Sequence, residues 1–235
     1  MEDQVARLVD KAWARFQQTP EDCRLMIAIG GIPGSGKTTL SQIVTQALNA
    51  RYAALHPEAT QPVAAFVPMD GYHLTRAQLS AMPDAATAHA RRGAEFTFDG
   101  LGFLALVTAL RAPLTTTVFA PSFDHAVKDP KENDIAIYPT HRIVVFEGNY
   151  VVLDKEPWRA AAELMDERWF VEVEFEVARR RLVVRHMLAG IAKDEGEARR
   201  RADENDLVNG RQIVENRVHV HEVVVSRDDE RWRHE

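Results

Sequence analysis

The sequence is poor in the features that mark secreted or membrane-bound proteins. It has one cysteine, Cys23, among 235 residues, so no intrachain disulfide can form, as is usual in a reducing compartment. It has no unbroken apolar run of the roughly 20 residues that a membrane-spanning helix needs. Its first residues lack the basic start and apolar centre of a signal peptide. These absences favour a cytoplasmic protein with no membrane partner.

An excess of positive charge is also missing. The chain carries 35 acidic and 29 basic side chains, a formal net charge of −6. This balance predicts no broad surface for duplex nucleic acid, so any site for an anion must be local. The expected partner is a small molecule rather than a nucleic acid.

The chain has no internal repeat, no low-complexity segment and no linker rich in glycine and serine. Its length and its 46% hydrophobic content predict a single domain over residues 1–235. Residues 1–20 predict an amphipathic helix that Pro20 stops, and the choice between packing on the core and forming a homo-oligomer interface stays open. The apolar face of this helix consists of Val5, Leu8, Val9, Ala12, Trp13 and Phe16.

Residues 25–38, LMIAIGGIPGSGKT, join an apolar run to the pattern GxxxxGK(S/T) and are followed by a helical pattern. Glycines let a loop fold around phosphate with its N–H groups pointing inward, and the helix adds the positive end of its dipole. This P-loop predicts binding of a nucleoside triphosphate, with Lys37 at the β- and γ-phosphates and the Thr38 hydroxyl on Mg²⁺. The expected nucleotide contacts are Gly31, Ile32, Pro33, Gly34, Ser35, Gly36, Lys37, Thr38 and Thr39.

Two other apolar runs end in a carboxylate: VVFEGNY, residues 144–150, and AAFVPMDGYH, residues 64–73. Strands of a parallel sheet present their carboxyl ends at one edge, so both acids should face the phosphates. Glu147 is expected to hold Mg²⁺ or its water shell, and Asp70 to accept the proton of an acceptor hydroxyl. The alternative for each is an acid that merely ends a strand or begins a turn.

These segments resemble the phosphoribulokinase and uridine kinase group of P-loop kinases, over about residues 24–217. The resemblance implies an α/β P-loop NTPase fold, a three-layer sandwich with a parallel central sheet and a helical lid, using ATP and Mg²⁺. Asp70, Gly71 and Tyr72 match the family segment that supplies the catalytic base, and Phe98 and Asp99 match a substrate-contacting pair. A proline-aromatic segment follows, here APSFDHAVKDP. Acceptor contacts are therefore expected from Asp70, Tyr72, His73, Asp99, Phe123, His125 and Lys128.

Two positions depart from the uridine kinase pattern. Phe123 stands where uridine kinases usually have tyrosine, and Lys128 stands where they have histidine. The segment DGYH, residues 70–73, is similar to the corresponding segment of pantothenate kinases. Residues 179–209 resemble uridine kinase-like proteins most. A nucleoside or other riboside, pantothenate and a sugar thus remain open as acceptors, and residues 72–121 are expected to form the insertion that selects among them.

Four arginines, Arg179, Arg180, Arg181 and Arg185, lie in a helical stretch where Arg181 and Arg185 share a face. The resemblance implies a lid over residues 179–209, with Arg185 as a catalytic charge stabiliser and Arg181 as a nucleotide contact. Gly190 is the expected lid turn, and residues 195–201 the second lid helix. A solvated helix face is the alternative.

Other polar residues are weaker signals. Asn205, Asp206 and Asn209 are interpreted as helix-capping residues, with contact to the nucleotide as the alternative. His219 and His221 are expected on one strand face with no third metal ligand nearby. The end of the chain, residues 226–235, is expected to be exposed.

A rival function for the chain is a P-loop ATPase that moves a partner as a regulatory switch. A guanine switch would need an NKxD segment and an ABC-type ATPase an LSGGQ run, and neither occurs. Kinase activity is the favoured prediction.

Overall fold

The fold is built on a parallel β-sheet. A computed structural model describes residues 2–227 of the chain, so the predicted exposed end lies outside the described residues from 228 onward. The sheet contains β1 (Leu25–Gly31), β2 (Ala64–Pro68), β5 (Ile143–Gly148), β6 (Glu167–Glu172) and β7 (Glu222–Val225). Its five strands are all parallel, in the order β2-β5-β1-β6-β7. A separate antiparallel hairpin pairs β3 (Val118–Asp124) with β4 (Asp129–Ile137).

Helices cover the sheet and connect its strands. They are α1 (Glu2–Gln17), α2 (Lys37–Leu55), α3 (Arg76–Ser80), α4 (Ala85–Ala90), α5 (Gly100–Leu110), α6 (Trp158–Glu163), α7 (Phe175–Leu188), α8 (Glu195–Arg201) and α9 (Leu207–Glu215). Short 3₁₀ turns span Met69–Tyr72 and Glu95–Thr97, and a π-helical turn spans Ala202–Asp206. No helix among the described residues is long and apolar enough to cross a membrane.

The central strand β1 is buried along its whole length, as expected for a parallel strand that is covered on both faces. Met26 and Ala28 face one apolar core, which contains α5 and α6 residues. Leu25, Ile27 and Ile29 face a second core, which contains α1 and α2 residues. This arrangement confirms the predicted three-layer α/β sandwich.

The predicted N-terminal helix is present as α1, and it ends at Gln17, before Pro20. All six apolar residues predicted to form one face are buried. They belong to the same core as Leu40 and Val44 of α2. The apolar face of α1 is therefore used within the chain.

Residues 72–121 were predicted to be an acceptor-site insertion. They contain one helix that packs in the main core and two shorter helices. Helix α5 buries Phe103, Leu106, Val107 and Leu110 in the main core, so this part stabilises the sheet. The shorter α3 and α4 lie between the two 3₁₀ turns along the chain. The hairpin was not predicted, since Pro121 and Pro130 argue against regular strands at these positions.

Candidate active site

The predicted P-loop connects β1 to α2 at the carboxyl edge of the sheet. Gly34 and Gly36 have φ angles of 79° and 86°, a left-handed region that glycine enters without steric cost. These conformations turn the backbone so that α2 begins at Lys37 with its free N–H groups at the loop. The Ser35 hydroxyl oxygen is buried without a hydrogen-bond partner among the described residues. The loop thus suits a phosphate-bearing ligand such as ATP.

Lys37 and Glu147 meet across this edge. Lys37 Nζ lies 3.8 Å from Glu147 Oε1, and both side chains are buried. Burial lowers the pKa of Lys37, and the Glu147 carboxylate opposes this effect. Burial raises the pKa of Glu147, which the Lys37 cation partly offsets. Each charge is thus stabilised by the other in a desolvated position.

The two expected metal ligands are also neighbours. The Thr38 hydroxyl lies close enough to Glu147 to lower the pKa of its carboxyl. A hydroxyl and a carboxylate are oxygen ligands of the kind that Mg²⁺ takes while it retains water and binds phosphates. Thr38 and Glu147 therefore fit a Mg²⁺ ion bound together with a nucleotide.

Asp70 lies at the same edge but in a different environment. It belongs to the 3₁₀ turn after β2, and Pro68 at the end of that strand pairs in register with Glu147. The negative charge of Asp70 raises the pKa of both Lys37 and Glu147. The Asp70 side chain is nevertheless exposed. An exposed carboxylate beside the phosphate position can meet an acceptor hydroxyl from solvent.

The arginines of α7 take separate positions. Arg181 Nη1 donates to the Gly34 carbonyl at 3.2 Å and to the Ser226 hydroxyl at 2.9 Å. The positive charge of Arg185 lowers the pKa of both Lys37 and Glu147. Arg179 instead pairs with Glu176 and with Asp203. Arg181 and Arg185 thus lie towards the P-loop, whereas Arg179 connects α7 to the π-helical turn.

Helix α8 has the bounds of the predicted second lid helix, and Gly190 between α7 and α8 has a left-handed φ of 61°. The role of this region as a lid stays a prediction.

Three of the expected acceptor residues form an aromatic cluster beside the 3₁₀ turn. The His73 ring lies 4.0 Å from the Phe98 ring and 4.9 Å from the Phe123 ring, between centroids. Phe123 in turn lies 5.2 Å from His125. Burial lowers the pKa of His73, which favours the neutral imidazole. The hairpin therefore places β3 against the segment that contains Asp70.

The remaining expected acceptor residues have structural contacts of their own. Tyr72 is buried and packs its ring edge-on against Phe103 at 5.3 Å. Asp99 Oδ1 accepts a hydrogen bond from Gly102 N at 2.9 Å and so caps α5. Lys128 is exposed in the hairpin turn with a φ of 60°. Their contact with an acceptor stays a prediction.

The capping interpretation of the polar residues near α9 is wrong. Asn205 and Asn209 are buried, and their side-chain oxygens accept hydrogen bonds from Arg91 at 2.8 and 2.7 Å. Asp206 makes no capping bond; its Oδ2 lies 2.8 Å from His186 Nε2. Tertiary contacts satisfy these side chains instead of the helix end.

Arg91 and Arg92 were not predicted as site residues from the sequence. Arg92 Nη2 pairs with Asp129 at 3.0 Å, and its guanidinium carbon lies 5.6 Å from the Phe123 ring centroid. The only signal in the sequence was indirect: two asparagines four residues apart share a helix face and can hold one side chain between them.

The histidine pair also differs from its expected position. His219 and His221 precede β7, and their ring centroids lie 5.8 Å apart. His221 Nδ1 accepts a hydrogen bond from Arg168 N at 3.0 Å. No group of three or more potential metal ligands occurs within residues 2–227.

A parallel sheet, a glycine-rich phosphate loop and a buried lysine–glutamate pair define the class of P-loop NTPases. A family model for the phosphoribulokinase/uridine kinase family matches residues 26–189. The chain belongs to this family, as the motifs predicted.

Particular relatives support this assignment. The ATP-dependent kinase-like protein notR′ of Aspergillus versicolor is 58% identical over 159 residues, covering 66% of this chain and 92% of the relative. A Schizosaccharomyces pombe protein described as a candidate uridine kinase is 40% identical over 186 residues, covering 79% and 76%. The crystal structure of YFH7 from Saccharomyces cerevisiae has the same fold, with a TM-score of 0.85, 23% identity and coverage of 96% and 99%.

Proposed function

We propose that this chain is a Mg²⁺-dependent kinase that transfers the γ-phosphate of ATP to a hydroxyl of a small metabolite. The observation that carries the proposal is the grouping of Lys37, Glu147 and Asp70 at one edge of the sheet, with Lys37 Nζ 3.8 Å from Glu147 Oε1. A buried cation and a metal-binding carboxylate suit the phosphates, and the exposed carboxylate suits the acceptor.

Each residue has a distinct task in this proposal. The P-loop backbone and Lys37 bind the phosphates, and Thr38 and Glu147 hold Mg²⁺, which neutralises phosphate charge when bound. Asp70 orients the acceptor hydroxyl and takes its proton while the acceptor oxygen attacks the γ-phosphorus and the bond to the β-phosphate oxygen breaks. Arg185 stabilises the charge on the equatorial oxygens of the moving group.

The proposed acceptor classes come from the family and from the aromatic cluster beside Asp70. A nucleoside or other riboside, pantothenate and a sugar all present a hydroxyl that could lie at Asp70. We propose that His73 and Phe123, which lie beside the turn that contains Asp70, contact such a molecule.

The test is ADP release with Mg²⁺ and ATP against a panel of these metabolites, for wild type and Lys37→Ala. We expect ADP release that depends on at least one acceptor, and its loss in Lys37→Ala, because Lys37 supplies phosphate contacts. A circular dichroism spectrum like that of wild type checks that the variant is folded, since loss of the buried partner of Glu147 lowers its stability. Wild-type turnover in Lys37→Ala would exclude the P-loop role. Rapid ADP release without any acceptor would instead favour the partner-moving ATPase.

A further inference from the structure

Arg91 begins a stretch of chain that lies against the candidate base segment. Leu74 N donates a hydrogen bond to Thr97 O at 2.9 Å, and Asp99 N donates to Tyr72 O at 2.7 Å. This stretch, residues 91–99, therefore forms one side of the region around the proposed acceptor position. On its other side it contacts the turn and helix that follow α8, through Arg91.

The Arg91 guanidinium is held by two neutral groups. Its Nε donates to Asn205 Oδ1 at 2.8 Å and its Nη2 donates to Asn209 Oδ1 at 2.7 Å. Asn205 Nδ2 in turn donates to the Arg92 carbonyl at 3.1 Å. Amide oxygens fix the orientation of a guanidinium but leave its positive charge in place.

No carboxylate within residues 2–227 forms an ion pair with Arg91. The acids on the flanking elements have other partners: Asp206 contacts His186 at 2.8 Å, and Glu95 pairs with Lys155. The adjacent Arg92 shows the contrast, because Asp129 neutralises it at 3.0 Å. Arg91 is thus a partly buried, oriented cation with no ion-pair partner in the described part of the chain.

We infer that the phosphate acceptor carries an anionic group, a phosphate or a carboxylate, and that Arg91 binds this group while the acceptor hydroxyl lies at Asp70. The Arg91 Nη1 donors have no partner among the described residues, and a guanidinium presents such donors in a fork that fits either anion. This inference rests on the proposed kinase function and narrows its substrate class.

The first experiment compares acceptors in matched pairs that differ in the anionic group: glycerate and glycerol, ribose 5-phosphate and ribose, and pantothenate and panthenol. We expect higher kcat/KM for the anionic member, with the phosphate and carboxylate pairs distinguishing the two anions. Arg91→Gln should raise KM for the anionic acceptor by about tenfold or more, because a bound charge loses its partner. Arg211→Gln, an exposed change on α9, is the matched control and should leave KM unchanged.

The second experiment separates anion binding from a purely structural role of Arg91. Asn209→Asp keeps the hydrogen-bond acceptor and adds a negative charge that neutralises the guanidinium. We expect KM for the anionic acceptor to rise while the unfolding midpoint does not fall. A structural role predicts an unchanged KM, since the contact between residues 91 and 209 is kept.

Three results would overturn the inference. Preference for the neutral member of each pair would exclude it while the kinase proposal stands. An Arg91→Gln effect of equal size on both members would assign Arg91 a structural role. Absence of turnover with every acceptor would contradict the kinase proposal itself, and this inference with it.

Discussion

At the scale of single residues, two acids at one sheet edge differ in their environment. Glu147 is 5% exposed beside Lys37, whereas Asp70 is exposed in the turn after β2. A desolvated carboxylate next to a cation suits a bound metal, and a solvent-facing one suits an incoming hydroxyl. The different roles proposed for these two carboxylates thus rest on their different positions.

Asp70→Asn should lower kcat by roughly 10² to 10⁴, the usual contribution of a general base, with little change in KM for ATP. The amide keeps the shape of the side chain but cannot accept the proton. Steady-state kinetics with the best acceptor measures this, and Asp10→Asn on the exposed face of α1 is the control. Equal kcat in the Asp70→Asn and wild-type proteins would exclude Asp70 as the base and would mean that it only begins a turn.

At the scale of elements, α7 connects the P-loop to the predicted lid. Arg181 near its middle contacts the Gly34 carbonyl, and Arg185 one turn later acts on Lys37 and Glu147. Beyond Gly190, α8 and the π-helical turn lead back to the buried Asn205 and Asn209. The same continuous segment therefore contacts both the P-loop and Arg91, which lies beside the proposed acceptor region.

Arg185→Ala should strongly lower acceptor-dependent ADP release, because it removes a cation from the transition state. ADP formation without acceptor should stay low in the variant as in wild type. Arg199→Ala, an exposed change on α8, provides the comparison. If the Arg185→Ala protein is as active as its parent, the alternative interpretation holds, in which Arg185 lies on a solvated helix face.

Trp13→Ala should lower the free energy of unfolding by about 3–5 kcal/mol, the usual cost of truncating a buried tryptophan. Trp13 is 5% exposed in the core that α1 shares with α2. Urea denaturation measures the change, with the exposed Arg15→Ala as control. A loss as small as that of Arg15→Ala would mean that α1 does not stabilise this core.

At the scale of the whole molecule, what could be predicted from the sequence follows from the range of each interaction. The P-loop and the parallel sheet were predictable, because Gly34, Gly36 and the apolar run of β1 encode local backbone requirements. The contact of Arg91 with Asn205 and Asn209 was not, because it joins positions more than 110 residues apart. The hairpin was hidden for a different reason, since prolines interrupt its strands.

The central claim is that phosphate moves from ATP to a metabolite and not to water. The most direct measurement quantifies ADP, phosphorylated acceptor and inorganic phosphate in one reaction, by phosphorus NMR or mass spectrometry, with and without the best acceptor. We predict equal amounts of ADP and phosphorylated acceptor, and very little of either ADP or inorganic phosphate when the acceptor is left out. Formation of ADP and inorganic phosphate in equal amounts, whether or not an acceptor is present, would contradict the account.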